Sequence, residues 1–131
     1  MILGCTDLPA AVGSSPRPLL DVAVGDVDDV VVPCLIDSGA VHTLLPSWLA
    51  GTAGIPLDDA ERRDLAVAGA GVRAAFVTCR IAAAGQAWEA QIGFASDWPY
   101  SWGLLGHDAF FRFFTVTFRA ADLEFEIDPI D

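Results

Sequence analysis

The sequence is poor in positive charge. Seven Lys and Arg residues stand against 18 Asp and Glu, a formal net charge of −11. A surface that acidic repels phosphate backbones and anionic lipid, so nucleic acid and membrane surfaces are poor partners. Cysteine is scarce too: Cys5, Cys34 and Cys79 are odd in number and widely spaced, which argues against a disulfide framework or a zinc ribbon. Cys34 and Cys79 sit in apolar runs and read as buried thiols. His42 and His107 are the only histidines. No Cys or His pair has metal-ligand spacing, so neither a metal nor another cofactor is expected. No apolar run reaches the roughly 18 residues of a membrane span. The opening Leu3-Gly4-Cys5 faintly resembles a lipid-attachment box, without the basic start and apolar stretch of a secretory signal. The expectation is a soluble, cytoplasmic protein.

What is abundant is apolar: 53% of 131 residues, enough for one domain around one core. No tandem repeat divides the chain. Residues 1–17 carry Gly13, Ser14, Ser15 and Pro16 and read as a loosely structured segment, leaving 18–131 as the domain. From there strand signals dominate. Leu20, Val22 and Val24 alternate with Asp21 and Ala23, a period of two. A turn over 25–29 leads into the apolar run 30–36, which suits a strand buried on both faces. Pro46-Ser47 is a start signal for a short helix over Trp48-Leu49-Ala50, stopped at Gly51. Residues 58–64 are charged and read as solvated. Residues 65–81 read as two strands folded about Gly69-Ala70-Gly71. After a turn at Gly85-Gln86, Trp88, Ala90, Ile92 and Phe94 share one face. Residues 98–103 form a loop. Leu104-Leu105-Gly106 is a short buried strand, with one or two helical turns over 107–112. Two alternating runs, 114–119 and 123–127, make a last hairpin about 120–122. Many short strands with turns between them point to an all-β barrel or sandwich.

Within that pattern Asp37 stands out as a carboxylate ending a doubly buried strand. Alone, Asp37-Ser38-Gly39 is ordinary turn chemistry. The small residues Ser38, Gly39 and Ala40 also let a second backbone approach closely. Leu35-Ile36-Asp37-Ser38-Gly39-Ala40 resembles the active-site signature of the retropepsin family of aspartic proteases, in which an aliphatic pair precedes Asp-Thr/Ser-Gly-Ala. Later in the chain such proteins carry an apolar-apolar-Gly strand behind the active-site loop, here Leu104-Leu105-Gly106, followed by a short helix. Between the two lies a glycine-tipped hairpin, the flap, here Val67-Ala68-Gly69-Ala70-Gly71-Val72. The ordered set covers about residues 18–127 and is closer to bacterial single-domain members than to viral ones.

The resemblance implies a closed β-barrel of the acid-protease type, with one or two short helices and a flap hairpin. It implies an aspartic endopeptidase with Asp37 as the catalytic acid. Ser38, Gly39, Ala40, Leu104, Leu105 and Gly106 would support the site. Ala68, Gly69, Ala70 and Gly71 would meet substrate as the flap. The chemistry needs two carboxylates sharing one proton, because like charges about 3 Å apart cannot both ionise readily. One Asp-Ser-Gly and no internal duplication put the second carboxylate on another copy, across a homodimer. Viral members carry an acid after the signature Ala and an arginine after the later Gly; here those positions hold Val41 and His107. Val72, Phe76, Trp102 and Leu104 are candidates to line an apolar cleft for a peptide or protein substrate.

Competing readings stay open. Ser38 with His42 suggests a serine hydrolase, against which the Gly-x-Ser-x-Gly elbow is missing. Asp108 reads as a cap of the following turn. Gly69 and Gly71 equally suit an ordinary hairpin. The loop 98–102 reads as a pocket wall or as a cover for the core. The principal rival is a non-catalytic dimerisation or peptide-binding module on the same fold.

Overall fold

The structure is a computed structural model and describes residues 1–9, 16–67 and 69–130. It is mostly β, with few helices. The alternating run 19–24 forms β4 (Leu19–Val24), following three short strands, β1 (Ile2–Gly4), β2 (Thr6–Asp7) and β3 (Pro16–Arg17). The apolar run continues as β5 (Val32–Ile36), then come β6 (Leu44–Pro46) and the helix α1 (Ser47–Thr52). β7 (Glu61–Val67), β8 (Ala70–Ala83) and β9 (Gln86–Ser96) are the long strands. The short β10 (Gly103–Leu105) precedes a π-helical turn at His107–Phe111, and the chain closes with β11 (Phe114–Arg119) and β12 (Glu124–Pro129).

Six strands close on themselves in the order β4-β5-β10-β6-β9-β8, with β8 returning to β4 through Ala23↔Ala82 and Val24↔Ile81. Closure removes the sheet edges that would otherwise template aggregation. The period of two drives Val22, Val24, Cys34, Ile36, Ile81, Ile92 and Phe94 into the interior. Each large side chain so buried contributes about 1.5–3 kcal/mol. Leu49 and Ala50 of α1 seal one part of the core, and Ala109 and Phe110 of the π-helical turn another. Trp88 anchors that turn, donating from Nε1 to the Ala109 carbonyl at 2.8 Å and packing edge-on against Phe114.

β7 lies outside the closed barrel, paired to the first half of β8 from Glu61↔Phe76 to Val67↔Ala70. The run 58–64, expected to be solvated, is therefore strand from Glu61 onward. An outer strand tolerates charge because only one of its sides is paired. A second apolar cluster, Leu44, Val72, Ala74, Phe76, Ala95 and Leu104, fills the space between this hairpin and the barrel wall.

The N-terminal expectation needs correcting. Ile2–Gly4 is a strand, not loose chain: it pairs with β12 in the three-stranded sheet β1-β12-β11. Thr6–Asp7 pairs with Pro16–Arg17. The Gly13-Ser14-Ser15 stretch lies outside the described residues. Helix α1 also passes through Gly51 to Thr52, and its N-cap is Pro46, without a side-chain capping bond.

Candidate functional site

β5 ends at Ile36, which is 3% exposed, and the next residue leaves the barrel. The Asp37 amide still holds the barrel, donating to the Leu105 carbonyl at 3.0 Å. Its carboxylate turns back on its own loop: Oδ1 accepts the Gly39 N–H at 2.8 Å, and the Ala40 N–H donates to the Asp37 carbonyl at 3.2 Å. This is the Asx-type turn that Asp-Ser-Gly favours. It leaves Asp37 half-buried on the wall of a cleft of about 380 Å³.

The loop 37–43 is braced from behind by the end of β10. Gly106 makes this possible by having no side chain: a Cβ there would stand against the His42 carbonyl and within 2.8 Å of the Ala40 oxygen. The close approach permits a ladder of bonds. Gly106 N–H donates to Thr43 Oγ1 at 2.9 Å, His107 N–H to the Ala40 carbonyl at 2.9 Å, and Asp108 N–H to the Val41 carbonyl at 3.0 Å. Thr43 is fully buried. His107 adds a side-chain bond, Nε2–H donating to the Ser38 carbonyl at 2.5 Å. Since a carbonyl only accepts, that contact fixes the proton on Nε2.

Asp108 is not the helix cap expected of it. The turn 107–111 has Gly106 at its N-cap and no side-chain capping bond. Asp108 instead reaches back across the seam, Oδ1 accepting the Thr43 N–H at 3.1 Å and Oδ2 lying 3.0 Å from His42 Nδ1. A histidine–carboxylate pair thus ties His42 of the loop to Asp108 beyond β10. The His42 ring meets Phe76 edge-on, with centroids 5.1 Å apart. Arg63 lies over the same Phe76 ring at 4.6 Å. Arg63 is tied to Glu61, whose carboxylate it holds below the ordinary glutamate range by hydrogen bonding.

The cleft is lined by Asp37, Gly39, Ala40, Val41 and His42 from the loop, Leu44 and Leu104 from the barrel, and Leu65, Ala66 and Val67 from the hairpin. Of the residues expected at the site, the structure thus brings Asp37, Gly39, Ala40 and Leu104 together on one cavity. Ser38 is exposed and contributes its carbonyl to His107. Leu105 points into the main core and serves through its carbonyl. Of the flap tip, Ala68 lies outside the described residues. Gly69 takes φ +83°, the left-handed conformation that suits a tight hairpin, while Gly69, Ala70 and Gly71 stand clear of the cleft lining. The hairpin meets the cavity through Leu65, Ala66 and Val67 instead.

Val72 and Phe76 sit beneath the cleft in the second cluster, and Trp98 and Trp102 pack against that cluster from the loop 97–102. Sequence reading missed Leu44, Leu65, Ala66 and Val67 as lining residues. The available signal was the period of two that puts Leu65 and Val67 on one face, after the charged run that ends at Asp64. Asp37 is the single carboxylate on the cleft among the described residues. No group of described His, Cys, Asp and Glu residues is arranged to hold a metal ion, and no described helix is long and apolar enough to cross a membrane. Compared with models of known protein families and with curated proteins, the chain matches none.

Proposed function

We propose that the chain is one half of a homodimeric aspartic endopeptidase of the retropepsin type. The observation that carries this reading is Asp37: one carboxylate at the end of a barrel strand, on a cleft of about 380 Å³ beneath a β-hairpin, whose other lining side chains are apolar apart from His42. One carboxylate leaves the site half equipped for peptide hydrolysis, and a two-fold axis supplies the other as Asp37 of a second copy.

In the paired site the two carboxylates hold one proton between them. The ionised member takes a proton from water as its oxygen attacks the scissile carbonyl carbon. The protonated member donates to the carbonyl oxygen, giving a tetrahedral diol. Collapse of that diol breaks the C–N bond, and a carboxyl proton passes to the leaving amine. The peptide lies extended beside the hairpin as an added strand, with apolar side chains against Leu44, Leu65, Val67 and Leu104. The seam at Gly106 supports the loop that aims Asp37. The reading includes a soluble cytoplasmic protein that uses no cofactor and takes peptide or protein substrates.

The experiment is peptide-library cleavage from about pH 3 to pH 7, where carboxylate pairs titrate, with wild type and Asp37→Asn run beside sedimentation. Cleavage is expected from the wild-type dimer and lost in Asp37→Asn. An active monomer, or activity that survives Asp37→Asn, sinks the reading. A second reading, a non-catalytic dimerisation or peptide-binding module, draws on β1. The viral dimer is joined by strands from both termini, whereas here β1 pairs with the chain's own β12. That reading expects peptide binding, equal in both proteins, with no cleavage.

A further inference from the structure

Two polar side chains line the cleft among the described residues: Asp37 and His42. The proposed chemistry occupies Asp37. His42 therefore remains as the group able to read a substrate side chain by hydrogen bonding.

The ring is held for that task. Asp108 is 21% exposed, and its carboxylate accepts on both oxygens, from Thr43 N–H and from His42 Nδ1. A carboxylate only accepts, so the proton sits on Nδ1 and the tautomer is settled. Phe76 packs edge-on against the ring and restricts its rotation. Arg63, over the Phe76 ring, is attracted by Asp108 and neutralised by Glu61. Nε2 has no hydrogen-bond partner among the described residues. In the neutral ring Nε2 accepts, and in the charged ring it donates. A carboxamide offers both N–H and C=O, so it satisfies either state.

We propose that His42 is the side-chain reader of the cleft and that it selects a carboxamide residue, glutamine or asparagine, within an otherwise apolar peptide. Asp108 is its positioning residue. The inference rests on the cleft being a peptide site, as the protease reading holds.

The test uses full-length Asp37→Asn protein, so that binding is read without cleavage. Short apolar peptides carry one glutamine moved position by position, each compared by calorimetry with its methionine counterpart of similar shape. One register should bind glutamine about five- to tenfold tighter, the range of one hydrogen bond. The ¹⁵N shift of His42 Nε2 should move with it. His42→Leu should erase the preference, so that glutamine and methionine peptides bind alike, and His42→Asn should restore part of it. Methionine peptides bound with no glutamine preference, or a preference that survives His42→Leu, overturn the inference and leave the protease reading standing. Peptides bound in no register overturn both.

Discussion

Gly106→Ala removes no polar atom and adds a single methyl behind the loop 37–43, yet it should be among the most damaging substitutions in the chain. A Cβ at Gly106 meets backbone, the His42 and Ala40 carbonyls, and no flexible side chain is there to move aside. Overpacking of a tight site costs about 1–3 kcal/mol. The seam must also part, and the bonds Gly106 N–H to Thr43 and His107 N–H to Ala40 are the first to stretch. Each is worth about 1 kcal/mol net. The total is about 3–5 kcal/mol, a large share of the roughly 5–15 kcal/mol that holds a domain together. Urea unfolding of wild type and variant, compared at unchanged m-value, measures it. The matched control is Gly51→Ala. Gly51 is exposed in α1 with nothing within 4 Å of an added Cβ, so the same methyl should stabilise by about 0.5–1 kcal/mol. A Gly106→Ala protein within about 1 kcal/mol of wild type, the worth of one such bond, would refute the close-approach argument.

Thr43→Val keeps the shape of a buried side chain and deletes the acceptor of the Gly106 N–H, which should cost about 1–3 kcal/mol in the same assay. Ala84 and Gly85 form the two-residue turn between β8 and β9 with φ of 50° and 75°, so Ala84→Asn should raise the melting temperature by relieving about 1 kcal/mol of left-handed strain. Arg119, bonded at 2.7 Å, holds the Glu126 carboxyl below its ordinary range. A depressed carboxylate stabilises fully above the unfolded value near about 4.3 and loses that contribution as pH falls through its folded value. Melting curves of wild type and Glu126→Gln should therefore differ near neutral pH and converge in strong acid; a gap independent of pH would count against the pairing.

The strands were legible where burial enforces a strict period of two. In β4 Leu20 and Val22 are buried about an exposed Asp21, and in β11 the alternation runs from Phe114 to Thr117 and lapses at the exposed Phe118. Asp37 was legible because a charge ending an apolar run is conspicuous. The less legible features depend on pairing between distant segments. Nothing local marks 2–4 as a strand, since its reason to form is β12, more than a hundred residues later. The first half of the outer strand β7, residues 61–64, was hidden by its charges, which burial would forbid and a position outside the barrel allows. Asp108 read as a cap because its local sequence permits one; Thr43 and His42, 65 and 66 residues away, claimed its oxygens instead.

β8 belongs to both the hairpin and the barrel. Its residues 70–76 carry β7, while Ile81 and Ala82 carry β4 on the other side of an interval where neither is registered. At 77–80 Arg80 lends its carbonyl to Gly25 and its guanidinium to Asp28, and along its other edge β8 stays registered to β9 from Arg73 to Ala83. One strand therefore carries the roof of the cleft through β7 and closes the cylinder through β4, so that roof and wall share a single backbone.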